Sequence, residues 1–232
     1  MSQANIWKSV EPKILAPGIV AFEKCIETYP EVIKIMNDEV DEWKKYNTTA
    51  DGQGYGKANG PIRFSPEENF NAEESKAYFK QVQRNAMDKA ALYMSIYPEV
   101  EREVNWMETW QYISYRPPKH MTFHSDNHAV RDPRTNKHHI APYLRRFTIL
   151  TYMNDNFKGG DLLFRYFPEM GAYKAPAGTS VIMPSAFVYS HATTPLLNGR
   201  KTAFLVSFSS HYDIDAELLG QPMEVSARRE LR

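Results

Sequence analysis

The sequence predicts an α+β protein in which N-terminal helices support a β core of two sheets, such as a jelly roll. Hydrophobic residues recur at helical spacing before about residue 105, and in short runs separated by turn residues after it. Short strands at such spacing are typical of two-sheet β folds. We expect a single domain over residues 1–232, with helical support and a loop in 1–105, the jelly-roll core in 106–212 and a C-terminal tail in 213–232.

Two helices are predicted before the core. Apolar residues from Phe22 to Tyr46 follow a helical period, and Pro30 is expected to break or kink this run. A clearer apolar stripe runs from Ala72 to Ile96, with Asn71 as its predicted N-cap. Between them, residues 47–69 are rich in Gly, Asn and Pro and predict a long loop, either a surface excursion or a flap over a substrate cleft.

Strands of the core are predicted where short β-prone runs stand between turn signals such as Asn154-Asp155, Gly159-Gly160 and Asn198-Gly199. The predicted strands are Trp106–Tyr115, Arg146–Met153, Asp161–Phe167, Thr179–Met183, Phe187–Tyr189 and Thr202–Ser209.

The composition argues against several classes of function. Lys and Arg total 28, and so do Asp and Glu, so no overall charge attracts nucleic acid or an anionic membrane, and neither is an expected partner. Cys25 is the only cysteine, which excludes an internal disulfide and a thiolate-rich zinc site. No apolar run approaches the roughly 18 residues of a membrane span, and residues 1–11 lack a signal-peptide core. We therefore expect a reducing, cytoplasmic location.

One short motif indicates metal chemistry. In extended backbone, residues two apart project to the same face, so the side chains of His124 and Asp126 can converge on one ion. His191, after a predicted strand, can supply a third ligand. Two histidines and one carboxylate form the facial arrangement of non-haem Fe(II) oxygenases, which leaves coordination positions open. The alternative for the His-x-Asp pair alone is a hydrogen-bonded surface turn.

The surrounding residues carry a family resemblance. Residues 145–154 match the form Arg-x-x-Thr-x-Leu-x-Tyr-Leu-Asn with Met153 in place of the second Leu, Gly159-Gly160 follow, and a cation stands about ten residues after His191. In order and spacing, residues 106–209 resemble the catalytic core of the 2-oxoglutarate/Fe(II)-dependent dioxygenases, in particular the prolyl 4-hydroxylase branch. The resemblance implies a double-stranded β-helix (jelly roll) as the catalytic core, with iron held by His124, Asp126 and His191.

The resemblance also implies a binding site for 2-oxoglutarate as co-substrate. Its 5-carboxylate needs a cation, and Lys201 occupies the family position, with Arg200 as its rival because it lies nine residues after His191. Adjacent strand residues face opposite ways, so only one of the two can point inward, and we favour Lys201. For either residue, the alternative is a solvated charge.

Three further residues are matched to the co-substrate site. Tyr152, which shares a strand face with Thr148, matches the family tyrosine that binds the 5-carboxylate, and Tyr115 resembles the tyrosine near the 1-carboxylate. A buried tyrosine can equally be a core residue with a satisfied hydroxyl.

The implied activity is hydroxylation of a C–H bond with Fe(II), 2-oxoglutarate and O2, with ascorbate as a further cofactor. A prolyl residue in a peptide or protein is the leading substrate, and a free amino acid or other small molecule is the alternative. From a different class, a non-catalytic metal-dependent binding module on the same fold stays open. Met121 stands where many prolyl hydroxylases have a tyrosine, which puts the substrate in doubt. The basic segment 127–144 takes the place of a substrate-covering loop, or is a solvated loop.

Overall fold

The computed structural model of the chain describes residues 7–46, 61–127, 130–131, 138–139 and 143–211. The helices are α1 (Pro30–Tyr46), α2 (Pro66–Asn69), α3 (Glu73–Ile96) and α4 (Pro98–Glu101). The strands are β1 (Lys13–Ala16), β2 (Ile19–Phe22), β3 (Ile62–Phe64), β4 (Trp106–Met107), β5 (Gln111–Tyr115), β6 (Val130–Arg131), β7 (His138–His139), β8 (Tyr143–Tyr152), β9 (Lys158–Gly159), β10 (Leu162–Phe164), β11 (Ser180–Pro184), β12 (His191–Thr193), β13 (Leu196–Asn198) and β14 (Lys201–His211). The predicted α+β class is confirmed. The tail 213–232 lies outside the described residues, and the single-domain division stays a prediction.

In the described part of the chain, eight strands form the main sheet. The order is β1-β2-β11-β8-β14-β5-β3, with β4 pairing against β14. Each of these pairs is antiparallel, and the longest strands, β8 and β14, lie next to one another at the centre. Because successive side chains of a strand point to opposite faces, this sheet can bury two faces against different neighbours.

One face of the main sheet packs against the helices. Phe204, Val206 and Phe208 of β14 share an apolar cluster with the buried stripe of α3 at positions 78, 79, 82, 86, 90 and 93. Phe79 stacks on Phe204 with ring centroids 5.3 Å apart. The stripe recurs at the three- and four-residue intervals of an amphipathic helix, and this is why the predicted helix Ala72–Ile96 is confirmed almost to the residue.

Helix α1 also fixes the start of α3. Oε1 of Glu39 accepts hydrogen bonds from the backbone N–H groups of Asn71 (2.6 Å) and Ala72 (2.8 Å). The N-cap residue is Ala72, and the side chain of Asn71 donates to the carbonyl of Asn69 instead. The predicted cap by Asn71 is therefore wrong: Ala72 is the N-cap, and a carboxylate from the neighbouring helix α1 binds the N–H groups of the two residues that lead into α3.

The other face of the main sheet looks into an interior closed by the short strands. β10 pairs with β12, and β13 pairs with β9. Leu162, Phe164 and Leu196 from these strands share an apolar cluster with Leu150 and Tyr152 from β8. The two layers therefore enclose one interior, as expected for a jelly roll.

Several predicted elements differ in the structure. The helix predicted over Phe22–Tyr46 begins only at Pro30, which suits the first helical turn because it has no N–H to leave unpaired. The chain before it forms β1 and β2. The strand predicted at Phe187–Tyr189 is wrong, since these residues form a 3₁₀ turn and the strand begins at His191.

The two long loops are only partly described. Residues 62–64 and 66–69 of the predicted loop 47–69 form β3 and α2, and residues 47–60 lie outside the described residues. In the segment 127–144, β6 and β7 pair with each other, and most of the remaining positions are likewise outside. Among the helices that the structure describes, none has the length and apolar character needed to cross a membrane.

Candidate metal centre

Two histidines and a carboxylate meet at one end of the interior. The N–H of His124 donates to the carbonyl of His191 (3.0 Å), and the N–H of His191 donates to the carbonyl of His124 (2.8 Å). This bridge sets the two rings side by side, with centroids 4.5 Å apart. Oδ1 of Asp126 lies 3.6 Å from Nε2 of His124 and 3.9 Å from Nε2 of His191. One ligand atom of each residue lies within 4.8 Å of the other two.

Backbone carbonyls orient both imidazole rings. Nδ1 of His124 lies 2.8 Å from the carbonyl oxygen of Thr122, and Nδ1 of His191 lies 3.1 Å from that of Tyr189. A carbonyl oxygen only accepts hydrogen bonds, so Nδ1 carries the proton in each neutral ring. Nε2 is thereby left with a lone pair that faces Asp126, which is the tautomer a metal site requires.

The charge state of the carboxylate suits a metal ion. Burial alone would raise the pKa of Asp126, but His191 and His124 outweigh it, with smaller effects of Thr148 and Arg145, and the pKa is lowered. Burial, and then the proximity of His191, lower the pKa of His124. Oδ2 of Asp126 is buried and has no hydrogen-bond partner among the described residues. An ionised carboxylate with one uncommitted oxygen, beside two imidazoles whose Nε2 atoms face it, fits a divalent transition metal.

Lys201 ends in the interior. The residue is 1% exposed, and its Nζ donates to the carbonyl oxygen of Gly160. Nζ also lies 5.0 Å from the ring centroid of Tyr152 and 5.3 Å from that of Tyr115. Burial lowers the pKa of Lys201 to about 7, and the charge of Asp161 only partly offsets this. No carboxylate of the described residues forms an ion pair with Lys201, so this ammonium is suited to bind an anion that enters the interior.

Two tyrosine rings stand near this ammonium. The hydroxyl of Tyr152 is buried and has no hydrogen-bond partner in the described part of the chain. Tyr115 lies directly opposite Lys201 in the pairing of β5 with β14. Burial raises the pKa of both tyrosines, so both hydroxyls stay protonated and can donate to an anion.

Arg200 lies on the opposite side of the sheet from Lys201. Its guanidinium donates to Asp41 (2.8 Å), to the hydroxyl of Ser114 (2.7 Å) and to the carbonyl of Asn37 (3.3 Å). These contacts tie the start of β14 to α1. Only one of the two adjacent cations therefore faces the interior, and the co-substrate role of either stays a prediction.

Thr148 lies at the metal end of the interior rather than beside Lys201. Its hydroxyl oxygen is 3.1 Å from that of Ser207 and 3.4 Å from that of Ser185. It precedes Tyr152 by four residues on the same face of β8, and it contributes to the lowered pKa of Asp126.

Two contacts at the site were not predicted from the sequence. A Cβ on Gly160 would lie 3.2 Å from Cδ of Lys201 and 3.2 Å from Cδ1 of Leu196, and φ there is +70°. Gly160 therefore makes room for the lysine as well as forming a turn, and the Gly-Gly pair was the available signal. The second contact is a hydrogen bond from Nη1 of Arg145 to the carbonyl oxygen of Asp126 (3.1 Å). Nothing in the spacing of these residues indicates it.

The fold is shared with solved prolyl hydroxylase structures. The viral collagen prolyl hydroxylase from Paramecium bursaria Chlorella virus-1, in its 2OG complex, superposes with a TM-score of 0.56 at 14% identity, over 83% of this chain and 96% of that one. The prolyl hydroxylase of Trichoplax adhaerens, in complex with a hypoxia inducible factor oxygen degradation domain peptide fragment, gives 0.55 at 14% identity, over 83% and 84%. Neither a protein-family model nor a curated protein matches the sequence. The likeness shows the fold, and the predicted double-stranded β-helix is confirmed.

Proposed function

We propose that this chain is an Fe(II)- and 2-oxoglutarate-dependent oxygenase that hydroxylates a C–H bond. The observation that carries the proposal is that one interior holds two incomplete polar sites. One is the candidate metal-binding set with an uncommitted oxygen on Asp126. The other is the buried ammonium of Lys201 beside the ring of Tyr152, whose hydroxyl has no partner among the described residues. A dicarboxylate that binds a metal at one end and a cation at the other would complete both.

His124, Asp126 and His191 would hold the iron through two imidazole nitrogens and a carboxylate oxygen, leaving positions open for co-substrate and O2. When bound together, Fe(II), 2-oxoglutarate and O2 supply the oxidising chemistry, in which 2-oxoglutarate is decarboxylated to succinate and a C–H bond is hydroxylated. The backbone hydrogen bonds to both Nδ1 atoms keep the rings oriented for this role.

Lys201 and Tyr152 would bind the 5-carboxylate. In a site sheltered from water, the ammonium forms a charge-assisted hydrogen bond, and the hydroxyl donates a second one. Phe157, with its ring centroid 6.0 Å from Nζ of Lys201, and Leu162 shield this end from solvent. We assign Tyr115 to the co-substrate pocket as well. Thr148 would affect co-substrate binding only indirectly, through its effect on the carboxylate of Asp126.

A prolyl residue in a peptide or protein is the proposed substrate. Two solved structures with the same fold are prolyl hydroxylases, and one of them is in complex with a peptide fragment. One residue argues against this substrate. Met121 is buried in the interior cluster, in the place where many enzymes of the resembled branch carry a tyrosine. Ascorbate as a further cofactor and a cytoplasmic location belong to the same proposal.

The proposal is tested by anaerobic titration of the Fe(II)-loaded protein with 2-oxoglutarate, followed by succinate measurement after O2 is admitted. We expect a visible charge-transfer absorption on binding, and succinate formation that a proline-rich peptide stimulates. Free L-proline in place of the peptide distinguishes the small-molecule alternative. Binding without any turnover would favour the non-catalytic module, and no 2-oxoglutarate binding at all would refute the oxygenase.

Matched variants test the residue roles. His191→Ala should abolish metal binding. Lys201→Met should raise the 2-oxoglutarate concentration required by about 100-fold, the order of a lost charge-assisted contact, while Arg200→Met should change it little. The opposite ranking would show that Arg200 is the anchor.

A further inference from the structure

A β-bulge in β8 turns one of two adjacent arginines toward the candidate metal centre. In the pairing of β8 with β14, Thr148 opposes Ser207 and Phe147 opposes Phe208, but Ser209 opposes Arg145. Arg146 is therefore the extra residue, and Arg145 comes to share the interior face with Thr148. Bulges re-aim side chains in this way and are frequent next to active sites.

Arg145 connects a carboxylate to the loop that carries the metal ligands. Its Nε and Nη2 donate to the carboxylate of Glu108, at 2.8 and 3.0 Å from Nε and at 2.6 Å from Nη2. Its Nη1 donates to the carbonyl oxygen of Asp126 at 3.1 Å. The guanidinium is a rigid planar fork, so fixing two of its nitrogens on Glu108 also fixes the direction of the third.

Glu108 is itself held in place. The hydroxyl of Ser209 donates to its Oε1 (2.6 Å), and its backbone N–H donates to the carbonyl of Ser207 (2.9 Å). The side chains of Arg145 and Glu108 are 23% and 13% exposed. The chain of contacts therefore runs from the central strand β14, through Glu108 and Arg145, to the backbone of Asp126.

We propose that Arg145 is a positioning residue for the metal ligand Asp126, and that Glu108 and Ser209 orient it. This rests on the metal centre of the proposed function. The carbonyl of Asp126 is the peptide group that follows the ligand's own Cα, so holding it limits the rotation of the ligand loop. Outer partners that orient a ligand contribute about 10- to 100-fold to metal affinity.

A matched set of contacts lies on the opposite face of the same strands. Nε of Arg146 donates to the hydroxyl of Ser210 (2.7 Å), and its Nη1 pairs with Glu103 (2.9 Å). Arg146, Glu103 and Ser210 have the same chemistry as Arg145, Glu108 and Ser209, but they are on the helix side and away from the metal ligands. Substitutions in this set control for general damage to β8 and β14.

The experiment is a Co(II) titration of the metal-free full-length protein, followed by the visible d–d absorption of the bound ion. Thermal unfolding is recorded for each variant. We expect Arg145→Gln and Glu108→Gln each to weaken Co(II) binding by about tenfold or more. Ser209→Ala, the mildest variant, should weaken it by up to about fivefold. Arg146→Gln, Glu103→Gln and Ser210→Ala should leave it unchanged at comparable thermal stability.

A purely electrostatic role gives a different pattern. Removing a positive charge near a cation site would strengthen Co(II) binding in Arg145→Gln, and removing a negative charge would weaken it in Glu108→Gln. A positioning role predicts weaker Co(II) binding in both variants. Arg145→Lys should also bind Co(II) less tightly than the unaltered protein, because a lysine ammonium lacks the planar fork of the guanidinium. If the Co(II) affinity changes in opposite directions in the two variants, or is unchanged in both, this inference is overturned and the proposed metal centre is not. No Co(II) binding by the unaltered protein would refute the metal centre, and the inference with it.

Discussion

Binding of 2-oxoglutarate should be coupled to protonation of Lys201. In the protein without ligand, burial lowers the pKa of this lysine to about 7, so at pH 8 about one tenth of the molecules carry the charge. An ion pair with the 5-carboxylate favours the ammonium and raises its pKa. If the pKa returns toward the ordinary lysine value, binding takes up about 0.9 proton at pH 8 and about 0.1 at pH 6. The dissociation constant should then rise about tenfold for each pH unit above 7.

Isothermal titration calorimetry of the Mn(II)-loaded protein measures this uptake. Heats of 2-oxoglutarate binding are recorded at pH 6 and pH 8 in buffers of different ionisation enthalpy, and the slope gives the number of protons. Lys201→Arg is the matched control, because a guanidinium stays charged at both pH values and should abolish the uptake. An uptake near zero at pH 8 in the unaltered protein, or the same uptake in Lys201→Arg, would refute the reasoning.

The remaining predictions concern stability and affinity together. Without ligand, the folded state releases the Lys201 proton near pH 7 and the unfolded state near 10.4, so the contribution of Lys201 to the free energy of unfolding should rise with pH across that window in urea denaturation. Tyr152→Phe should weaken 2-oxoglutarate binding by about 10- to 100-fold in calorimetry without lowering stability, since its buried hydroxyl lacks a partner among the described residues. Gly160→Ala should cost about 1–2 kcal/mol in urea denaturation because of the positive φ, and should also weaken 2-oxoglutarate binding by displacing the lysine. Asp41→Asn should cost up to about 1 kcal/mol through its pairs with Arg200 and Arg116 and leave 2-oxoglutarate affinity unchanged. A weakened affinity would contradict the placement of Arg200.

The elements that could be predicted from the sequence are the long ones. Helix α3 shows its single buried stripe in the residues themselves, and strands β8 and β14 stand out as long β-prone runs between turn signals. Strand β2 is buried on both faces, so Ile19–Phe22 shows no alternation, and its last residue was assigned to the following helix. Strands β9 and β13 have two and three residues, too few for any period to show.

Part of the candidate site could likewise be predicted from the sequence, and part could not. His124 and Asp126 are two residues apart, so extended backbone alone predicts that they share a face. His191 is far away in sequence, and its place beside them depends on an isolated backbone bridge to His124 that spacing does not predict. Glu108 stands in the gap between β4 and β5, where the sequence suggested one continuous strand from Trp106 to Tyr115.

Two pairs of adjacent cations show where strand alternation suffices and where it fails. At the start of β14 the pairing with β5 is regular, so alternation correctly sends Arg200 and Lys201 to opposite faces. In β8, strict alternation from the interior residue Thr148 would send Arg146 inward, but the bulge sends Arg145 there instead. No glycine or proline marks that bulge, so the sequence gives no warning of it. The strand pairing, and not the sequence, therefore decides which of the two neighbouring arginines reaches the backbone of the candidate metal ligand Asp126.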